Sequence, residues 1–143
     1  MATYNKIQAF VEHLAEKVHN LGADTLKILL SNAAPSASGD AVKGDLTSEL
    51  STAGGYTSGG SQATISTSAQ ASGTYKLVVN DVVFTASAGT IGPFRYAVLY
   101  NDTPTSPADP LIAWWDYGSS ITLADGESFT VDFDGTTGVL TIA

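Results

Sequence analysis

Few side chains in this sequence are equipped for chemistry. The two imidazoles, His13 and His19, stand six residues apart near the N-terminus. On one continuous helix they would sit about 600° apart around the axis, so they would not share a face as an i, i+4 metal-binding pair does. That spacing predicts solvated helix positions for both, and it makes this segment the only source of a base for a Ser-His-Asp arrangement. Asp132, Asp134 and Gly135 read like the opening of a calcium loop, but no further acid follows at the distance an EF-hand requires. The same letters describe a strand ending in an Asp-Gly turn, and Asp125 and Glu127, which flank Gly126, have a similar reading. Trp114, Trp115 and Tyr117 could offer a stacking platform for a sugar. Successive strand residues point to opposite faces, however, so one tryptophan is expected in the core and the other exposed or in a subunit interface. The run GGYTSGG (54–60) lacks the lysine and following helix of a phosphate loop. With no cysteine, thiolate chemistry and Cys-based zinc sites are excluded. This inventory predicts a non-enzymatic protein with no catalytic residue, no cofactor and no metal ligand.

Composition narrows the class further. A chain of 143 residues predicts a single domain, 1–143, with a core large enough to stand without staples. The apolar fraction of 43% places it among globular rather than disordered chains. Six basic residues against fourteen acidic ones leave a net charge of −8, which argues against a nucleic-acid partner because that affinity rests on clustered Lys and Arg. No run approaches the roughly 20 apolar residues of a membrane-spanning helix. Glu12, His13, Glu16 and Lys17 interrupt what would be the apolar region of a signal peptide, so the chain is expected to be made and kept in the cytoplasm unless it leaves by an unencoded route. Charge is unevenly spread: Glu12, Glu16 and Asp24 balance Lys6, Lys17 and Lys27, and every formal charge after Arg95 is negative. This asymmetry suggests a neutral docking end and an acidic, solvated end.

The elements that must position these residues begin with a helix predicted over 1–22. Ile7, Phe10, Val11, Leu14, Val18 and Leu21 follow the spacing of one apolar helical face, and Gly22 sits where a helix stop is expected. The stripe must bury against its own sheet or against a neighbouring subunit, and in the second case Ile7, Phe10, Val11 and Leu14 are the partner contacts. The apolar run 25–32 predicts a strand. Residues 35–60, rich in Gly, Ser, Thr and Ala, predict a loop or extended arm. Residues 61–143 form the main β region. Ala63–Ser68 alternates, and Tyr75–Ala86 reads as one bulged strand or a hairpin turning at Asn80-Asp81. Phe94–Tyr100 and Leu111–Tyr117 are apolar on both faces, as central strands are. Asp125-Gly126 is the strongest short hairpin signal in the chain, predicting that 121–123 pairs with an alternating strand at 129–133, and Asp134-Gly135 opens a second turn. The predicted class is mainly β: an antiparallel β-sandwich or barrel-like domain preceded by one N-terminal amphipathic helix.

Three stretches, DTLKILLSNAAP (24–35), GGYTSGG (54–60) and the C-terminal run from GPFRYAVLY to VLTIA (92–143), together resemble a group of small tailed-bacteriophage virion proteins. The resemblance spans nearly the whole chain and is most specific in the last stretch. It implies a bacteriophage structural protein located in the virion, with no catalytic residue to carry over. The leading expectation is a capsid decoration (cement) protein that binds the major capsid protein on the outer capsid surface and stabilises the head. A tail, neck or fibre-base component, or a carbohydrate-binding module on the virion, are the alternatives. Symmetric shells favour closed rotational homo-oligomers, and decoration at local three-fold positions makes a trimer the natural expectation.

Overall fold

The runs that are apolar on both faces become the centre of the molecule. A computed structural model describes residues 2–143. Its elements are β1 (Tyr4–Lys6), α1 (Ala9–Ala15), β2 (Leu26–Ser31), a single 3-10 helical turn (Lys43–Asp45), β3 (Ser61–Gln62), β4 (Ile65–Ala71), β5 (Thr74–Val79), β6 (Val82–Thr85), β7 (Ile91–Asn101), β8 (Leu111–Leu123), β9 (Ser128–Val131) and β10 (Leu140–Ile142). A five-stranded sheet runs in the order β1-β8-β7-β2-β3, beside a three-stranded sheet β10-β5-β4 and a two-stranded sheet β6-β9. Every pairing is antiparallel. The fold is therefore mainly β and sandwich-like, with one short N-terminal helix.

Burial follows the sequence pattern. Residues 97–101 of β7 and 111–113 of β8 are buried in succession, so both faces of the main sheet are covered there. In contrast, β6 alternates buried Val82 and Phe84 with exposed Val83 and Thr85, as one wet face requires. The β4–β5 hairpin turns on Ser72 and Gly73, both at positive φ (50° and 82°), the primed geometry that matches strand twist.

Three local expectations are corrected by long-range pairing. The helix is Ala9–Ala15, not 1–22, because residues 4–6 pair with β8 as strand β1. The segment 75–86 is neither one strand nor a hairpin: β5 pairs with β4 and β10, whereas β6 pairs with β9. The turn at Asp125-Gly126 likewise passes the chain from β8 to β9 without pairing them, since β9 has β6 as its partner. Here Glu127 accepts the Ala124 N–H (2.7 Å) and Asp125 accepts the Ala88 N–H (2.9 Å).

Residues 35–60 do connect the elements as a loop, but not as an extended arm. Pro35, Tyr56 and Gly59 are buried. The Tyr56 hydroxyl accepts the Leu30 N–H (3.1 Å), and the Tyr100 hydroxyl donates to the Gly59 carbonyl (2.6 Å). Gly60, at φ +74°, lies so close to β2 that an added Cβ would meet the Ile28 carbonyl oxygen at 1.8 Å. Glycine is thus used here for close approach of two backbones, and not for mobility. Removing the hydroxyl in Tyr100→Phe leaves a buried carbonyl without its donor, and should lower stability by about 1–3 kcal/mol in denaturant titration.

Candidate functional site

Two regions collect the chemistry-bearing side chains. The first lies just after the helix. α1 closes with Val18 N–H on the His13 carbonyl (2.8 Å) and Lys17 N–H on the Leu14 carbonyl (3.3 Å), with Lys17 at φ 69°. This is a Schellman stop in which lysine takes the left-handed position that usually falls to glycine. The reversal folds His19 back against the helix, and the expectation of two solvated histidines on separate faces is corrected. His19 is only 6% exposed, its ring centroid lies 6.1 Å from that of His13, and Phe10 packs on it at 5.1 Å.

Asn101, buried at the end of β7, organises this cluster. Its amide nitrogen donates to Asp24 Oδ2 (2.6 Å) and faces His19 Nδ1 (3.1 Å), while its oxygen accepts the Thr103 N–H (3.1 Å). An amide donor facing Nδ1 requires that atom to be the unprotonated acceptor, so the ring is neutral with its proton on Nε2. Nε2 has no hydrogen-bond partner among the described residues. Burial, and then the neighbouring His13, push the His19 pKa down to about 4, against a smaller opposing pull from Asp24. The arrangement holds one neutral imidazole in place. Among the described residues there is no group of three or more potential metal ligands.

The second region is an aromatic cleft of about 340 Å³ between β1, β7 and β8 on one side and β9 with the 131–139 turn on the other. Register places Tyr4 and Ala97 beside Trp115 on the same face. Tyr4, Trp115 and Phe133 meet edge to face at centroid distances of 5.8 and 5.4 Å. Phe94, Phe129 and Tyr117 form a second such set at 5.0 and 5.4 Å. Tyr117 is the most open of these rings, at 55% exposed.

Charge at the cleft is one-sided. Arg95 is held by Asp116 through two bonds, Nε to Oδ1 (2.7 Å) and Nη2 to Oδ2 (2.9 Å). The pair holds the Asp116 carboxyl below its ordinary range and raises Arg95, so each cancels the other. Asp132 and Asp134 also line the cleft and are exposed. Asp134 accepts the N–H groups of Thr136 (2.7 Å) and Thr137 (3.4 Å), bonds that keep it ionised below the usual carboxylate range. The Asp132-x-Asp134-Gly135 run is thus a strand end and capped turn.

The remaining sequence-selected residues separate. Ile7 and Phe10 are buried in the chain's own core, and Leu14 is half-buried against it. Val11, at 52% exposed, is the one member of the expected partner-contact set that stays open. It faces a groove shared with Leu14, Leu140 and the exposed Ile142. Both tryptophans are half-buried: Trp115 lines the cleft, and Trp114, on the other face, packs edge-on against Tyr96 (5.8 Å). Sequence reasoning missed Tyr4 and Phe133 as neighbours of Trp115, and Phe94 and Phe129 as lining the same cleft. They come from three separate segments, and only Phe129 and Phe133 share a local alternating spacing.

A scan against protein-family models finds no match, and searches of curated proteins and of solved structures also find no match.

Proposed function

We propose that this chain is a non-enzymatic structural protein of a tailed-bacteriophage virion, and specifically a capsid decoration protein that binds the major capsid protein as a homotrimer. The observation that carries the reading is the exposed apolar groove between α1 and β10. Val11 and Ile142 lie open there beside half-buried Leu14 and Leu140. Exposed apolar residues gathered in one place mark a contact surface better than scattered ones do. The run 92–143, on which the phage resemblance chiefly rests, supports the same reading because it supplies β7, β8, β9 and β10, and with β10 one wall of that groove. The net charge of −8 suits an outer surface, since packaged DNA would repel it from the lumen.

Particles lacking the protein should release DNA at a lower temperature than complete particles. Added back, the native chain should restore heat resistance, whereas Val11→Asp combined with Ile142→Asp should stay folded and fail to bind. Identical heat release with and without the protein, or its mapping by labelling to the tail, would replace the capsid reading with the tail, neck or fibre-base one.

A further inference from the structure

We propose that the aromatic cleft is a binding site for a choline-type trimethylammonium cation. The proposal goes beyond the virion reading and stands apart from it, because it rests on a different surface.

The first reason is shape. The rings lining the cleft meet at interplanar angles of 66–77°, so neighbouring walls stand nearly perpendicular. A sugar stacks best on one broad, flat face, whereas a compact, rounded cation is best served by several faces set at angles around it. Tyr4, Trp115 and Phe133 form one corner, and Phe129 with Tyr117 forms another.

The second reason is charge. Among the described residues lining the cleft the one cation, Arg95, is neutralised by its two bonds to Asp116. Asp132 and Asp134 have no cationic partner among the described residues, so the lining is net negative. An anionic ligand would be repelled, and a neutral one could donate hydrogen bonds to the two carboxylates but would gain no ionic attraction from them. A cation without a hydration shell of strong hydrogen bonds gains from both the carboxylates and the ring faces. Trimethylammonium has that character. A phosphate attached close to it would meet Asp132 and Asp134, with no unpaired cation among the described residues that line the cleft to receive it. The ligand is therefore choline itself, or choline at the end of an uncharged chain, and not a phosphocholine lipid headgroup.

The test is an NMR or calorimetric titration of the full chain with choline chloride, with 3,3-dimethylbutan-1-ol as the uncharged molecule of the same shape. Choline should bind saturably, and the neutral analogue at least about tenfold more weakly, as a desolvated cation–π contact implies. Tyr117→Ala and Asp132→Asn alter exposed side chains, so both should melt like the native protein while each weakens choline binding several-fold. Equal binding of the neutral analogue would show a merely apolar cleft and overturn the proposal. So would the absence of saturable binding, or unchanged affinity in Tyr117→Ala. Co-sedimentation with phosphatidylcholine vesicles that choline competes away would move the ligand to a lipid headgroup and overturn the assignment to free choline.

Discussion

Phe10→Asp combined with Leu14→Asp will unfold this protein rather than release a folded, unassembled domain. Phe10 is 5% exposed and packs with Ile7 and Leu21 in the single core that also contains the central strands. Deleting a buried aromatic side chain lowers stability by about 3–5 kcal/mol, and an uncompensated carboxylate in its place adds to the loss. Against a whole-domain stability of roughly 5–15 kcal/mol, the double substitution removes most or all of the folded population. Circular dichroism should show no cooperative melt, while Val11→Asp, on the exposed side of the same helix, should melt within about 0.5 kcal/mol of the native protein. A folded double variant that sediments as a monomer would mean instead that the stripe serves assembly.

Acidification from pH 6.5 to 4 will destabilise the protein through His19. The ordinary histidine pKa of 6.5 applies to the unfolded chain, and the folded value is pushed down to about 4. In that window the unfolded state binds a proton that the folded state refuses, so stability falls as pH falls and levels off, for this group, below about 4. A shift of that size corresponds to about 3 kcal/mol. The ring borders an open groove after the helix, so solvent screens part of this and about 3 kcal/mol is the upper bound. The shift comes first from burial of the ring and then from the neighbouring His13, and Asn101 adds an amide donor at Nδ1 that offers no acceptor for a second imidazole proton. Further acidification recruits a different set: Asp45, Asp116 and Asp134 are held below the usual carboxylate value of 3.8, and their contribution is lost as pH falls through that lower range. Thermal melts across pH 7 to 4 check the first effect. His19→Gln keeps an acceptor for Asn101 and should flatten the profile over that window; a native profile already flat there would contradict the mechanism.

The sequence by itself determined the β class, the position of the central strands and the turns at Asp125-Gly126 and Asp134-Gly135. These follow from local rules. A run such as FRYAVLY is apolar on both faces and can only be covered on both, and the alternation at 129–133 admits one wet face. Asp134 caps its own turn through neighbours two and three residues away. The helix was visible as a stripe, but its end was not, because the stop uses Lys17 at a conformation for which Gly22 was the obvious candidate.

Only the tertiary structure decided where those pieces meet. Residues 4–6 became a strand because β8 offered an edge, and β5 and β6 parted because each found a more distant partner. The loop at 35–60 became fixed because Tyr56 and Tyr100 reach across from different segments to satisfy backbone groups. His19 became a buried, neutral base because a reversal after the helix carried it to Asn101, 82 residues away. The cleft is the clearest case. Tyr4, Phe94, Trp115 and Phe133 are joined by no spacing in the chain, since side chains from separate segments are brought together only by strand register and by the packing of one sheet against another.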